Sequence, residues 1–309
     1  MIGDKFLIRG LLISLLALGF TACSDDDDDN ANPNPTPSAA TVFEAIENDT
    51  SLSTLKDAIE AAGLETTLEG AGPFTIFAPT NAAFDLLPSG LIDGLTTEEL
   101  TDVLENHVVS GSKLEASDVT AASSATTLEG DVSIMVVGST VVLDGRVQVT
   151  QTDVQADNGV VHIIDAVLIP GDFPGNLVQA LSSYPRFSEL VGAVGTASLV
   201  STLEGDNGGD GFTVLAPSDD AFDGVTLPSD SGDLADLLTY HVLPTTEDSS
   251  AVSTAADGNQ DLETVEGSDI TLSKSGDDIM INGEATITAV DINASNGVIH
   301  VIDTVLTIP

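Results

Sequence analysis

Basic residues are scarce in this chain, and their scarcity argues against the commonest classes of anion-binding protein. Only 7 of its 309 residues are Lys or Arg, against 50 Asp or Glu, which gives a formal net charge of −43. Nucleic-acid binding needs Lys and Arg at the phosphates. A bare anionic membrane surface attracts proteins through the same side chains. Neither partner fits this sequence.

Cysteine, histidine and aromatic residues are also sparse. One Cys and four His exclude a disulfide framework and Cys-rich zinc or iron–sulfur sites. The absence of Trp, with only two Tyr, argues against a wide aromatic platform for stacking sugars. Hydrophobic residues nevertheless make up 42% of the chain. The chain can therefore build real cores, and its length suggests two domains.

The first 22 residues have the pattern of an export signal. Lys5 and Arg9 precede a short apolar run at residues 11–20. A permanent membrane helix needs about 20 apolar residues, so a signal peptide is the better interpretation. The run leads into Gly-Phe-Thr-Ala-Cys, and small residues before a lone Cys resemble the lipobox of bacterial lipoproteins. This resemblance implies cleavage before Cys23 and a lipid anchor on it, which would hold the chain firmly at a membrane.

A serine and five aspartates follow this cysteine directly: Ser24, Asp25, Asp26, Asp27, Asp28 and Asp29. So dense an acidic run repels itself and stays extended. Its first four residues resemble the surface-export signal of Bacteroidota lipoproteins, which implies display outside the cell. The alternatives are a solvated spacer or a run that attracts calcium. With the Pro-rich stretch after it, the run forms a predicted tether over residues 23–40.

The remainder of the chain is one unit written twice. The segment FTIFAPTNAAF at residues 74–84 recurs as FTVLAPSDDAF at 212–222, and NGVVHIID at 158–165 recurs as NGVIHVID at 296–303. Both pairs are offset by 138 residues. A period this long indicates tandem domains, since solenoid repeats are far shorter.

Apolar periodicity and breaker residues predict the main elements of each unit. One opening helix is expected over residues 41–62, with a counterpart over 176–194. Short strands with Gly turns follow in the second half, including one at 147–149. A final strand is expected over 160–169 and again over 298–308.

The repeated blocks together resemble the fasciclin domain family. The F-T-[IV]-[FL]-A-P block is similar to its first signature, and the N-G-V-[VI]-H block to its second. The resemblance covers about residues 41–309 and implies an α+β fold. It implies two tandem domains, each a β-wedge of about seven strands with several small helices. We place the first domain at residues 41–170, a linker at 171–175 and the second domain at 176–309.

All four histidines lie at repeat-matched positions, His107 with His241 and His162 with His300. A histidine in a strand or at a helix end more often satisfies a backbone group than binds a ligand. In animal fasciclin domains a Tyr-His pair is implicated in adhesion to receptors. The resemblance therefore makes Tyr240 and His241 a candidate adhesion contact, with simple packing as the alternative. The first repeat departs from this pair, because Asn precedes His107.

Catalytic and metal motifs are missing from the sequence. It contains no G-x-S-x-G and no H-E-x-x-H, and no pair of carboxylates stands out for glycosidase chemistry. We therefore expect no enzymatic activity, no catalytic residue, no metal set and no cofactor. The glycine-rich insertion at residues 205–211 could hold a weak Ca²⁺ through oxygen ligands. A flexible turn is the alternative.

The predicted function is non-enzymatic adhesion by a lipoprotein. A lipid anchor would hold it in the outer membrane, facing the exterior. Its partner would be extracellular matrix, a polysaccharide or another cell-surface protein. The alternatives are a periplasm-facing lipoprotein that binds a ligand or calcium, an envelope scaffold, or a hydrolase with an unrecognised site.

The excess of negative charge predicts a stability that depends on salt. Like charges repel in the folded state, and at 1 M salt the Debye length falls to about 3 Å. We expect the Tm to rise between about 0.05 and 2 M NaCl, as in a protein from a saline or halophilic source. If calcium bridges the acidic surfaces instead, millimolar CaCl₂ will stabilise where equivalent NaCl does not. A Tm indifferent to both salts would contradict both ideas.

Overall fold

The computed structural model describes residues 40–171 and 174–309. The predicted signal peptide, Cys23, the acidic run at residues 24–29 and the tether up to residue 39 lie outside the described residues. Asp172 and Phe173 of the predicted linker lie outside them as well. Within the described part, none of the helices combines the length and the apolar character that a membrane span requires.

The first repeat begins with helices and ends with strands. Its helices are α1 (Val42–Glu47), α2 (Ser53–Ala62), α3 (Glu65–Leu68), α4 (Asn81–Asp85), α5 (Leu91–Gly94), α6 (Thr97–Glu105) and α7 (Ala116–Ala121). A 3₁₀ turn at Thr50–Leu52 separates α1 from α2. Its strands are β1 (Phe74–Pro79), β2 (Val108–Ser110), β3 (Ser124–Thr126), β4 (Asp131–Val137), β5 (Thr140–Leu143), β6 (Val147–Ala156) and β7 (Gly159–Ile164).

The second repeat follows the same order. Its helices are α8 (Leu177–Ser182), α9 (Ser188–Thr196), α10 (Val200–Leu203), α11 (Ser231–Thr239) and α12 (Ser249–Asp257). Its 3₁₀ turns are Pro185–Phe187, Asn207–Gly209 and Asp219–Phe222. Its strands are β8 (Phe212–Pro217), β9 (Val242–Leu243), β10 (Asp261–Glu263), β11 (Asp269–Ser275), β12 (Asp278–Ile281), β13 (Ala285–Ala294) and β14 (Gly297–Ile302).

Each repeat forms one seven-stranded sheet, which confirms the predicted α+β fold and strand number. The strand order is β2-β1-β7-β6-β5-β4-β3 in the first repeat and β10-β11-β12-β13-β14-β8-β9 in the second. The first and last long strands lie side by side and parallel, β1 with β7 and β8 with β14, while the other neighbours are antiparallel. Gly159 permits the close approach, because a Cβ there would lie 2.3 Å from the Phe74 carbonyl oxygen.

Side-chain caps fix where the principal helices begin. At the start of α6 the Thr96 hydroxyl accepts from the Glu99 N–H at 3.3 Å, and the Glu99 carboxylate accepts from the Thr96 N–H at 2.8 Å. Thr41 and Glu44 make the same reciprocal box at α1. Each box satisfies two backbone donors that the first helical turn would otherwise leave unpaired.

The single opening helix expected over residues 41–62 is wrong, because the segment breaks between α1 and α2. Asp49 is extended, and its carboxylate accepts from the Ser51 N–H at 2.8 Å. It therefore caps a new turn and does not continue α1. The helix expected over 176–194 breaks at the matched place, where Pro185 lacks a backbone N–H.

The expected final strands are too long, and one middle strand is too short. Strand β7 ends at Ile164 and β14 at Ile302, not at residues 169 and 308. The segment after β7 is still buried from Ala166 to Ile169. Strand β6 continues to Ala156, well past the expected residue 149. The buried segment after each last strand must therefore find hydrogen-bond partners outside the sheet.

The two repeats share an apolar core. One continuous cluster of buried side chains includes Ile164 and Leu168 of the first repeat together with Leu177 and Phe187 of the second. Two further clusters each stay within one repeat, one around Ile46 and one around Tyr240. Because they share this cluster, the two repeats pack against each other and are not independent modules joined only by a linker.

Both arginines of the described chain lie where the domains meet. The Arg146 guanidinium of the first domain lies 5.3 Å from the centroid of the Tyr184 ring of the second. Arg186 of the second domain attracts the half-buried Asp165 of the first. It also lies 3.2 Å from the Asp220 carboxylate. Arg146 is 8% exposed and Arg186 is 4% exposed. In so acidic a protein, buried cations at this boundary oppose the mutual repulsion of the domains.

We expect Arg186→Ala to uncouple the two domains. The change removes the buried cation that attracts the half-buried Asp165 and pairs with the largely exposed Asp220, and we expect it to cost about 1–3 kcal/mol. Lys274→Ala is the matched control, because it removes the same charge from an exposed pair with Asp257 worth at most about 1 kcal/mol. Differential scanning calorimetry should resolve two transitions for Arg186→Ala and one for the control. Identical thermograms for both variants would contradict the role of Arg186.

Candidate functional site

The most distinctive polar feature of each domain is a buried histidine after its central helix. The His107 Nδ1 lies 2.7 Å from the Val103 carbonyl oxygen of α6, so Nδ1 carries the proton and donates. The Nε2 atom accepts from the Leu168 N–H at 2.9 Å. His107 thereby ties α6 to the buried segment that follows β7. This confirms the prediction that its ring satisfies a loose backbone carbonyl.

The second domain repeats this arrangement at the candidate adhesion pair. His241 donates through Nδ1 to the Leu237 carbonyl oxygen at 2.8 Å, and its Nε2 accepts from the Leu306 N–H at 2.9 Å. Tyr240 donates to the Asp269 carbonyl oxygen at 3.2 Å. Tyr240 is 0% exposed and His241 is 2% exposed. Both side chains are therefore buried in this structure, and an adhesion contact at this pair stays a prediction.

The histidines of the last strands make a second repeated arrangement. His162 donates through Nε2 to the Leu114 carbonyl oxygen at 2.7 Å, and its Nδ1 accepts from the Asp153 N–H at 3.3 Å. His300 does the same with Glu247 and Asp291, at 2.7 and 3.2 Å. This tautomer is the opposite of the one at His107. The structural role predicted for the strand histidines is confirmed.

Two aspartates complete this arrangement, and the sequence analysis missed them. Asp153 and Asp291 have φ angles of 62° and 59° and lie at irregularities in β6 and β13. The Asp153 carboxylate accepts from the Ala116 N–H at 2.9 Å, and the Asp291 carboxylate accepts from the Ser249 N–H at 2.8 Å. Asp tolerates the left-handed region better than most residues. The sequence signal that could have identified these two aspartates is their matched position in the two repeats.

The Asn-Gly pair before each last strand also has a structural role that the sequence did not reveal. The Asn158 side chain accepts from the Val42 N–H at 2.8 Å and donates to the Leu68 and Gly70 carbonyl oxygens. Asn296 makes the matched bonds in the second domain. Each asparagine therefore joins the opening helices to the last strand.

Burial keeps the central histidines neutral. It lowers the pKa of His107 and of His241 from 6.5 to about 4, although the carbonyl that each ring bonds opposes the shift. Burial also lowers the pKa of His162 and His300. A neutral ring with both nitrogens engaged has no lone pair left for a metal and no proton to exchange with a substrate.

The glycine-rich insertion is a closed turn. The Asp206 carboxylate accepts from the Gly208 N–H at 3.2 Å. The backbone carbonyl oxygen of Asp206 accepts from the Gly209 and Gly211 N–H groups. Weak calcium binding at residues 205–211 stays a prediction. Among the described residues, carboxylates converge in a group of three at Asp102, Glu105 and Glu129 alone. Exposed acidic groups of this kind are common without an ion, so this group does not define a metal site.

Comparison with known proteins agrees with this geometry. The fasciclin domain matches the chain twice, at residues 50–170 and 185–309. The chain belongs to the fasciclin family. The family match begins inside each predicted domain, and the outer boundaries at residues 41 and 176 stay predictions.

Several animal and cyanobacterial proteins are similar to this fasciclin chain. Transforming growth factor-beta-induced protein ig-h3 of Sus scrofa is 34% identical over 250 residues, which cover 77% of this chain and 35% of that protein. Periostin of Homo sapiens is 30% identical over 206 residues, covering 66% of this chain and 24% of periostin. Protein sll1483 of Synechocystis is 40% identical over 137 residues, covering 43% and 75%. The chain thus spans about a third or less of these animal relatives.

A solved FAS1 domain pair from the insect cell adhesion molecule fasciclin I is also similar. It matches with a TM-score of 0.46 and 21% identity, and the match covers 84% of this chain and 97% of that one.

We expect mild acid to destabilise both fasciclin domains. The unfolded state takes up protons at the central histidines near pH 6.5, whereas His107 and His241 resist protonation down to about pH 4. The free energy of unfolding should therefore fall as the pH drops through this window, by about 1.4 kcal/mol per pH unit for each buried ring. Urea unfolding between pH 7 and pH 5 measures the slope.

Imidazole NMR titration provides the control for this prediction. The ring signals of His107 and His241 should stay at their neutral positions down to pH 5. A stability that is flat over this range, or a ring that titrates near pH 6.5, would contradict the buried neutral state.

Proposed function

We propose that this protein is a surface-displayed adhesion lipoprotein whose two fasciclin domains bind matrix, a polysaccharide or another cell surface without catalysing a reaction. The observation that carries the proposal is the double match to the fasciclin domain over most of the chain. The family resemblance implies adhesion, and a protein with such a domain pair, insect fasciclin I, is described as a cell adhesion molecule.

The chemistry of the described residues supports a binding role over a catalytic one. The four histidines bind backbone groups on both ring nitrogens. A general base must reach a proton on the substrate, and rings committed to the backbone in this way do not.

The N-terminal pattern supports an anchored position. Lipidation at Cys23 would hold the protein at the outer membrane, and the acidic and Pro-rich tether would carry the domains away from it. The run from Ser24 to Asp29 would direct the protein to the exterior. A periplasm-facing protein that captures a ligand or supports the envelope is the competing proposal, and it differs in which side of the membrane the domains face.

Protease shaving of intact cells separates these proposals. We expect added protease to cleave the wild-type domains and to spare a variant with Ala at residues 24–29, because the variant lacks the export signal. Cells that display the wild type should also attach to a matrix-coated surface better than cells without the protein.

Cleavage after outer-membrane lysis is the matched control for the variant. If both forms are protected in intact cells and cleaved only after lysis, the domains face the periplasm and the adhesion proposal is wrong. Cleavage of both forms in intact cells would leave adhesion standing but reject residues 24–29 as the export signal.

A further inference from the structure

The two domains contact each other through one pair of faces. Face A belongs to the first domain, and we define it by Gly145, Arg146 and Asp165. Gly145 approaches the second domain so closely that a Cβ there would lie 2.2 Å from the Ala289 Cβ. The Arg146 guanidinium lies 5.3 Å from the centroid of the Tyr184 ring. Face A therefore contributes a residue without a side chain and a cation.

Face B belongs to the second domain and receives face A. We define it by Tyr184, Arg186 and Ala289. Tyr184 and Arg186 are buried, and Arg186 attracts the Asp165 carboxylate of face A. Ala289 is partly buried, and its short side chain leaves room for the Gly145 backbone. Face B therefore contributes an aromatic ring, a cation and a small residue.

Each chain also carries an unused counterpart of both faces, because the domains are repeats. Free face A lies on the second domain, at the exposed positions that match face A: Gly283, Glu284 and Asp303. Free face B lies on the first domain, at the positions that match face B: Asp49, Ser51 and Gln151. If free face A of one chain docked onto free face B of another, the contact would recur between chains. Such a head-to-tail contact leads to rings or open filaments.

The charges on the two free faces oppose this contact. Glu284 stands where face A has Arg146. Asp49 stands where face B has Tyr184, since each of these two residues directly precedes the 3₁₀ turn of its domain. Docking would therefore bring two carboxylates together in place of a cation and an aromatic ring. A favourable cation–π contact would become a repulsion.

Side-chain size opposes the contact as well. Gln151 stands in β6 where β13 has Ala289, and it is exposed. Between faces A and B, the Gly145 backbone occupies the space beside the Ala289 Cβ. On free face B the longer Gln151 side chain would fill this space, so Gly283 of a second chain would collide with it. Overpacking of this kind is destabilising.

The attraction between face B and Asp165 is also missing from the free pair of faces. Ser51 stands where face B has Arg186, so the counterpart Asp303 would find no cation on free face B. Three features therefore act against the same contact. Each has a different physical cause: like charge, side-chain size and a lost attraction.

We propose that Asp49, Gln151 and Glu284 block the stacking of one chain onto another, so that the contact between fasciclin domains forms within the chain alone. A specific contact can be protected by residues that make the wrong partner unfavourable. Here the wrong partner is a second copy of the chain, whose free faces share the fold of faces A and B but not their chemistry. The proposal does not depend on the adhesive function. It implies that attachment between copies, where it occurs, uses other surfaces.

Exchange of one residue between matched positions tests the part of this proposal that concerns size. Ala289→Gln places the longer side chain against Gly145 and should separate the domains, so that differential scanning calorimetry of the full chain resolves two transitions. Gln151→Ala is the matched control, because it makes the reverse change on free face B and should keep the transition of the wild type. Identical thermograms for the two variants would overturn the block by size.

Binding between chains tests the block as a whole. Glu284→Arg gives free face A the cation of face A. The triple change Asp49→Tyr, Ser51→Arg and Gln151→Ala gives free face B the residues of face B. One variant is captured on a biosensor surface and the other is passed over it in about 1 M NaCl, where a Debye length of about 3 Å screens the overall repulsion between chains. We expect these two variants, the matched pair, to bind each other at least about tenfold more tightly than the wild type binds itself.

Two comparisons control this experiment. Each variant should bind a second copy of itself no better than the wild type does, because the contact needs one face of each kind. Glu263→Arg is charge-matched to Glu284→Arg, since it makes the same change at an exposed residue that belongs to neither face. It should bind the triple variant no better than the wild type does.

A fourth variant keeps the test decisive if the triple variant folds poorly. Asp49→Asn then takes the place of Asp49→Tyr, because Asn caps the 3₁₀ turn as Asp does but carries no charge. Tighter binding of the matched pair alone would support the proposal. Absence of tighter binding by the matched pair, equal binding of Glu263→Arg, or wild-type chains that bind one another as tightly as the matched pair would overturn it.

Discussion

The hydrogen bonds of one buried imidazole hold each domain together. After the last strand the chain runs through the core without a neighbouring strand, and its backbone still needs partners. His107 and His241 supply them, because each ring joins a carbonyl of the preceding helix to an N–H of this terminal segment. Each ring must stay neutral to do this. A proton on Nε2 would point at the backbone N–H from which Nε2 now accepts a hydrogen bond. Histidine, the residue type that most suggested a ligand site, therefore forms its hydrogen bonds with the backbone.

Much of this organisation could be predicted from the sequence because it is repeated. Matched blocks identified two domains, and the parallel pair of β1 and β7 is built from those blocks. The structural role of His162 followed from its place in an apolar strand. The break between α1 and α2 was missed, because apolar periodicity continues across it and only Asp49 signals a new cap. The ends of β7 and β14 were missed for a related reason, since buried apolar residues follow each strand without belonging to the sheet.

The packing contacts between the two domains could not be predicted, because they depend on residues in which the repeats differ. Tyr184 and Arg186 occupy positions that are Asp49 and Ser51 in the first repeat, and Arg146 is replaced by Glu284 in the second. Comparison of the two repeats reveals the residues that they share, and these three residues are not shared. Their meaning appears only when packing brings Arg146 over the Tyr184 ring and Arg186 within the field of Asp165.

This asymmetry also explains why a chain of such charge can keep two domains together. The three lysines of the described chain lie at the surface beside carboxylates, where screening weakens any pair. The two arginines are buried, where opposite charges attract more strongly. Burial leaves some of their donors unpaired, and that penalty offsets part of the attraction. Arg146, Tyr184 and Arg186 all stand where the other repeat has a different residue. The packing of the two domains is therefore a property of this pair of repeats and not of the single domain.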